Sequence, residues 1–170
     1  MKKKGLIILI AVIAVVGIIA GFFVGSYNSM VEKQEKVESS YSTISTYLQR
    51  RYDLIPNLVN TVKGYSDYEQ STLTAVTEAR AKVGSATSTN DKIAAENELG
   101  SALNVWVNAV TEAYPELKAN EQYKTLSDEL TGAENRIATA RKDYNEVAKE
   151  YNTSIKKFPR NIFASIFGFE

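Results

Sequence analysis

The chain has 170 residues, in which 20 lysines and arginines balance 20 aspartates and glutamates. Three of the basic residues, Lys2 to Lys4, precede an apolar segment, so the rest of the chain carries 17 basic and 20 acidic side chains. A weakly acidic domain lacks the basic face that phosphate contacts require, which excludes nucleic acid as a partner. The sequence has no cysteine and no histidine, which excludes disulfides, thiolate and histidine nucleophiles, and ordinary zinc sites.

The first predicted element is the apolar segment from Leu6 to Val24, which contains no charged side chain. As a helix it would span roughly 28 Å, which matches the hydrocarbon core of a bilayer. We therefore predict that residues 1–25 form a short basic N-terminus and a transmembrane helix. A cleaved signal peptide ending near Gly25 is the alternative, but the apolar run is longer than usual and no A-x-A triplet follows it.

The charged residues that flank this segment predict its orientation, and the glycines within it predict its partners. Lys2 to Lys4 outweigh the balanced charges between residues 32 and 36, which places the N-terminus in the cytoplasm and the following residues outside the bacterial plasma membrane. Gly17, Gly21 and Gly25 are spaced four apart, a pattern typical of helices that self-associate. Glycine is also common in spanning helices, so a homo-oligomer is one of two interpretations.

Residues 26–158 are predicted to form one helical bundle domain, which begins with two helices. The first runs from Ser26 to about Tyr52 with a seam of period 3.5 formed by Met30, Gln34, Val37, Tyr41, Ile44, Leu48, Arg51 and Ile55. A turn, or at least a sharp kink, is expected near Asp53, because Asp53 suits an N-cap and Pro56 suits the first turn of a helix. The second helix then runs to Gly84 with a seam of Leu58, Val62, Tyr65, Glu69, Thr72, Val76, Ala79 and Val83.

Two further helices follow the loop SATSTN. The third starts near Asp91 and stops at Tyr114-Pro115, and its seam is Leu99, Leu103, Trp106, Val110 and Ala113. The fourth runs from Asn120 to Phe158, with a seam of Tyr123, Leu126, Leu130, Ala133, Ile137, Ala140, Tyr144, Val147, Tyr151, Ser154 and Phe158. Such a strict heptad predicts the left-handed packing of an antiparallel four-helix bundle or coiled coil. The predicted fold class is all-α.

Residues 159–170 form an apolar C-terminal tail. The first helix would rise roughly 40 Å and the fourth would return roughly 58 Å, so the tail would arrive back at the bilayer surface. Its apolar side chains are Ile162, Phe163, Ile166, Phe167 and Phe169, and the basic side chains beside them are Lys156, Lys157 and Arg160. The tail is either an interfacial membrane contact or a segment that folds back over the bundle core.

Charged residues on the apolar seams each need a partner, because an unpaired buried charge is costly. Counting helical levels predicts that Glu112 lies near Arg50 and Arg51, and that Glu69 lies near the level of Glu134 and within reach of Arg141. We interpret these as buried pairs that fix helix register. A metal site built from the three glutamates would lack the Glu-x-x-His motifs of di-iron bundles, so we predict no catalytic, cofactor-binding or metal-binding residues.

Several segments resemble the LemA family of bacterial proteins. They are RRYDLIPNLVNTVKGY at Arg50 to Tyr65, EAYPELKAN at Glu112 to Asn120, and ENRIATARKDYNEVAKEYN at Glu134 to Asn152 with FPRN shortly after it. The resemblance covers nearly the whole chain. It implies an N-terminal membrane helix followed by a helical bundle, and it implies no catalytic residues.

These patterns favour a non-enzymatic, membrane-anchored scaffold or adaptor of the bacterial cell envelope. Its expected partners are the lipid bilayer, an envelope protein of unknown identity and further copies of the chain. The alternative is a structural or lipid-associated envelope protein that acts through self-association. An enzyme would need a concave pocket with carboxylates of perturbed pKa.

Overall fold

The computed structural model describes the backbone of residues 2–63 and 70–169, and the side chains of residues 5–63, 73–88 and 91–169. Every secondary-structure element in these residues is helical, so the all-α prediction is confirmed. The elements in chain order are α1 (Lys2–Lys63), α2 (Gln70–Ser85), α3 (Thr89–Ala113), a short 3-10 helix (Pro115–Ala119), α4 (Glu121–Lys156) and α5 (Arg160–Phe167).

Helix α1 joins the apolar segment to the first bundle helix without a break, as predicted, but it also continues past the predicted turn. The turn near Asp53 is wrong, because the Asp53 carboxylate does not cap a new helix. It accepts a hydrogen bond from Gln49 Nε2 at 2.8 Å, one turn earlier in the same helix. Pro56 lies inside α1, where it removes one backbone donor. The apolar stripe nevertheless continues through Leu54, Ile55, Leu58 and Val62, all of which are buried.

The predicted second helix is consequently divided between two elements. Its first part belongs to α1, and its last part is α2, which ends at Ser85. The seam residues Tyr65 and Glu69 lie outside the described residues. The turn that follows is shorter than predicted, because the Ser88 hydroxyl accepts the Asp91 N–H at 3.1 Å and so caps α3.

Contacts divide the chain into two compact units. The first unit comprises Met1–Ser42 and Arg141–Glu170, and the second comprises Thr43–Ala140. The predicted domain boundaries at residues 25 and 158 stay predictions. In the second unit α2 and α3 form a helical hairpin, and the adjoining parts of α1 and α4 contribute to the same core. The buried core residues are Ile55, Leu58, Val62, Val76, Ala79, Leu99, Leu103, Trp106, Val110, Leu117, Tyr123 and Leu130.

The first unit has a smaller core where α5 meets α1 and α4. Its buried residues are Met30, Tyr151, Ile155 and Ala164. The predicted seam residue Phe158 is not part of it, since α4 ends at Lys156 and Phe158 is 81% exposed. The physical reason is Pro159, which disfavours helical backbone at the residue before it.

The apolar segment from Leu6 to Val24 remains uncovered by the rest of the described chain. Its large aliphatic and aromatic side chains are mostly exposed, from 51% at Phe22 to 72% at Ile18. Within the described residues, α1 is the one helix long and apolar enough to cross a membrane. A methyl group added at Gly17 or Gly21 would meet nothing within 4 Å, so self-association through the glycine stripe stays a prediction.

Candidate functional site

The second unit buries an arginine together with two glutamates from different helices. Arg51 of α1 is 2% exposed, and its Nη1 donates to Glu134 Oε1 of α4 at 2.8 Å. Its Nη2 donates to the carboxylate of Glu96 on α3 and to the Glu96 backbone carbonyl at 2.9 Å. We call Arg51, Glu96 and Glu134 the arginine cluster. It ties α1, α3 and α4 together through one guanidinium.

The position of Glu96 follows from the heptad of α3. The buried residues Leu99, Leu103, Trp106 and Val110 repeat at steps of four, three and four. One further step of three toward the N-terminus reaches Glu96, which is 3% exposed. Extending that seam by one residue would therefore have found Glu96 from the sequence. The predicted seam began at Leu99 and did not include Glu96.

Gly100 makes room for the arginine on the face of α3. A methyl group built at Gly100 would lie 3.0 Å from Arg51 Nη1 and 3.7 Å from Glu134 Oε1. The 3.0 Å contact is tighter than an ordinary van der Waals separation. The guanidinium cannot easily move away, because carboxylates hold it on two sides. The absence of a side chain at Gly100 thus allows α3 to approach the buried charge.

The arginine cluster pairs a buried charge and thereby joins three helices. Burying a guanidinium is costly unless its donors are paired, and here three of its hydrogen bonds are made to two glutamates. The side chain of Glu96 is 4% exposed and that of Glu134 is 30% exposed. The arrangement fixes the register of three helices, which agrees with the interpretation of Arg51 as a buried paired charge.

The predicted partners of Arg51 were wrong. Glu112 is exposed and is not among the groups that bind Arg51, and Arg50 pairs instead with Glu129 at 3.4 Å. The prediction counted helical levels from an assumed end of the first helix at Tyr52. Because α1 continues to Lys63, Arg51 lies well before the helix end and meets the beginning of α3 rather than its end. The predicted neighbour of Glu134, Glu69, lies outside the described residues.

A cavity of about 260 Å³ lies beside the arginine cluster in the second unit. Its lining residues are Ser45, Leu48, Gln49, Tyr52, Val83, Gly84, Ala86, Lys92 and Glu96. The Glu96 carboxylate is held by Arg51, so the cavity does not present it as a reactive carboxylate. Tyr52 is engaged as well, since the Arg80 guanidinium carbon lies 4.1 Å from the centre of its ring. These contacts favour a structural role for the residues around the cavity.

The first unit contains an aromatic cluster between α5 and the C-terminal end of the apolar segment. The centroid of the Phe163 ring lies 4.4 Å from that of Phe23 and 6.2 Å from that of Phe22. The Phe167 ring lies 5.5 Å from Phe23 and 5.0 Å from Tyr27. We call these residues, together with Phe169, the aromatic cluster. Phe169 lies 5.7 Å from Tyr27.

Helix α5 is covered on one side and exposed on another, and an interfacial membrane contact of the tail stays a prediction. Its Ala164 is 4% exposed and packs into the core with Met30 and Tyr151, so the tail does fold back onto the helices. On another side Ile162 and Ile166 are 48% and 65% exposed. Arg160, one of the basic side chains of the tail, is partly buried and donates a hydrogen bond to Ser154 Oγ at 2.9 Å.

Comparison with known proteins identifies the group to which this architecture belongs. The sequence model of the LemA family matches residues 40–170. The chain belongs to the LemA family. Magnetosome proteins MamQ 2 and MamQ 1 of Paramagnetospirillum magneticum are each 30% identical over 190 residues, covering 96% of this chain and 69% of the relative. Protein LemA of Metamycoplasma hominis is 26% identical over 153 residues, covering 89% of this chain and 69% of the relative.

The LemA match covers the arginine cluster and the part of the aromatic cluster that lies in the C-terminal tail. Residues 40–170 include the whole arginine cluster and all of α5. An alignment that covers 96% of the chain also extends into the apolar segment before residue 40. Together with the exposed apolar helix, this similarity indicates a membrane-associated bacterial protein of the LemA type.

Proposed function

We propose that this LemA-family protein is a non-enzymatic, membrane-anchored scaffold or adaptor of the cell envelope. The observation that carries the proposal is the continuity of α1, which contains both the exposed apolar segment and the buried Arg51. An anchor that passes without a break into a bundle helix attaches that helix directly to the bilayer. A helical surface presented in this way is suited to binding another envelope protein.

The chemistry of the described side chains supports binding over catalysis. The buried carboxylate of Glu96 is bound to Arg51. No group of three or more acidic side chains within the described residues is arranged to hold a metal ion. Exposed apolar side chains, by contrast, occur on the surface of α3, where Ile93 is 48% and Val105 is 60% exposed. Single exposed apolar residues are ordinary, but these two offer defined positions at which to look for a partner.

Photo-crosslinking in native membranes tests the adaptor role. A photoreactive amino acid at Val105 is expected to give an adduct with one envelope protein, identified by mass spectrometry. The matched control places the same amino acid at Phe158, which is 81% exposed but lies in the first unit. The adaptor role requires a protein adduct specific to position 105. Adducts that contain only copies of this chain or lipid would overturn it and favour the self-associating envelope component, for which the open glycine stripe is the supporting observation.

We also propose that the N-terminus is cytoplasmic and that the bundle is extracytoplasmic, on the basis of Lys2 to Lys4. The chain has no cysteine, so a single introduced thiol is unique. Thr87→Cys is the best position, because Thr87 is exposed in the turn before α3, whereas Ser88 caps that helix. An impermeant maleimide is expected to label this variant in intact cells. Labelling that appears only after lysis would show the opposite orientation.

A further inference from the structure

The aromatic cluster fixes the depth of α5 relative to the apolar segment. Phe22 and Phe23 belong to the last turn of the segment from Leu6 to Val24. Because the Phe163 ring lies within 4.4 Å of the Phe23 ring, α5 must sit at the level where the apolar segment ends. Tyr27, which contacts Phe167, is the type of residue found at the boundary between lipid and water.

The residues around α5 divide into an apolar arc and a polar arc. At 100° per residue, Ile162, Ile166, Phe163 and Phe167 follow one another around the helix, and Arg160 and then Ala164 come after Phe167. The remaining side is polar, with Asn161 and Ser165 both exposed. Only part of the apolar arc is covered by α1 and α4, since Ile166 is 65% exposed. The uncovered part therefore has no partner among the described residues.

The ends of the tail suit a position at a charged bilayer surface. Lys156 and Lys157 are both exposed just before α5. Gly168 has φ of 74°, a left-handed conformation that ends α5 and that residues with a side chain rarely adopt. This cap lets the chain turn so that Phe169 reaches Tyr27. An amphipathic helix with basic residues beside it is typical of helices that lie in the interface of an anionic bilayer.

We propose that α5 is a second membrane contact, which lies in the interface of the bilayer that α1 crosses. Ile162 and Ile166 enter the acyl-chain boundary, Asn161 and Ser165 face water, and Lys156 and Lys157 meet anionic headgroups. The occupant of the uncovered apolar arc is thus lipid. This contact is separate from the adaptor role, because it requires no protein partner and involves only the first unit.

The depth of α5 can be measured on the full chain in nanodiscs that contain anionic lipid. A spin label is attached to Ile166→Cys, and its accessibility to oxygen, which concentrates in lipid, is compared with that to a water-soluble nickel complex. We expect the ratio of oxygen to nickel accessibility to be several-fold higher at position 166 than at Ser165→Cys, on the polar side of the same helix. A label at Ile162→Cys should give a high ratio as well, and Ile93→Cys in the second unit is its matched control, because Ile93 and Ile162 have the same exposure of 48%.

Two further measurements separate lipid from other occupants. Replacing both lysines in a Lys156→Gln, Lys157→Gln variant should lower the ratio at position 166 in anionic nanodiscs and leave it unchanged in zwitterionic ones. A ratio at position 166 equal to that at position 165 overturns the proposal. Dipolar broadening between labels at position 166 would do so as well, since it would mean that a second copy covers the apolar arc. A failed search for a protein partner at Val105 would overturn the adaptor role and leave this result unaffected.

Discussion

The arginine cluster and the aromatic cluster hold helices together by opposite physical means. In the second unit, Arg51 joins three helices through charged hydrogen bonds to the buried Glu96 and to the partly exposed Glu134. In the first unit, Phe163 and Phe167 join α5 to α1 through ring contacts and carry no charge. A buried ion cluster specifies one register, because any slip leaves a charge unpaired. Aromatic contacts next to an apolar segment avoid the cost of desolvating charges where lipid is the solvent.

The largest expected effect comes from removing one carboxylate of the arginine cluster. Glu96→Ala leaves Arg51 buried and short of a partner, which should cost about 3 to 5 kcal/mol of unfolding free energy. Denaturant titration in detergent micelles can follow this through Trp106, which is buried in the core of the second unit. The matched control is Glu98→Ala, two residues away on α3, where the pair with Lys82 is about half exposed. Comparable losses in the two variants would mean that Arg51 does not depend on Glu96.

Removing a ring from the aromatic cluster tests the other half of the comparison. Phe163→Ala loses contacts with Phe22 and Phe23, and we expect it to weaken the attachment of α5 by about 2 kcal/mol. Amide hydrogen exchange in α5 should then be roughly thirtyfold faster. Phe158→Ala should leave that exchange unchanged, because Phe158 is 81% exposed. If Phe163→Ala instead shifts the unfolding followed by Trp106, the two clusters do not act separately.

Replacing glycines within helices by alanine should change the unfolding free energy by a smaller amount, and the effects at Gly100 and Gly132 should differ in direction. Gly100→Ala puts a methyl group 3.0 Å from Arg51 Nη1, and the pinned guanidinium cannot easily yield. The resulting strain should exceed the gain in helix propensity, for a net loss of about 1 kcal/mol. In Gly132→Ala the new methyl group meets nothing within 4 Å, so this variant should gain about 0.5 to 1 kcal/mol. Two gains of equal size would show that the space at Gly100 is not needed.

The smallest effect concerns an ion pair at the surface of the second unit. The hydrogen bond from the Lys82 ammonium to Glu98 raises the pKa of Lys82, and the charge of Glu98 adds to the effect. A raised lysine pKa contributes stability below the unfolded-state pKa, and this is lost as pH rises through the folded-state value. In Glu98→Gln the pKa of Lys82 should fall toward its ordinary value, which NMR of methylated lysine can measure. The midpoint of unfolding at neutral pH should not change measurably, since exposed pairs contribute little.

The heptad pattern predicted more of the core than of the charged contacts. Leu99, Leu103, Trp106 and Val110 are all buried as the third predicted seam requires. The position of Arg51 on an apolar seam also predicted that it needs a partner. Its actual partners were not, because the level at which two helices meet depends on where each begins and ends. Local signals at Asp53 and Pro56 indicated a turn, and the burial of Leu58 and Val62 outweighed them.

The return of the tail toward the apolar segment was predicted from a difference in helix length that the structure does not contain. The expected mismatch between a 40 Å and a 58 Å helix disappears, because α1 from Ser26 to Lys63 is roughly as long as α4. The return of α5 to the end of the apolar segment is instead established by the rings of Phe163 and Phe23. The amphipathic character of the tail was visible in its sequence. Which of its apolar residues would be covered was not.

The sequence by itself determined the helical class, the family and the apolar segment of α1, because these follow from composition, periodicity and runs of residues along the chain. The tertiary structure alone decided that Glu96 and Glu134 receive Arg51, that Gly100 lies against the Arg51 guanidinium, and that α5 buries Ala164 while exposing Ile166. These features depend on which residues of different helices meet in space. That register is set by the packing of whole helices, so no short stretch of sequence contains it.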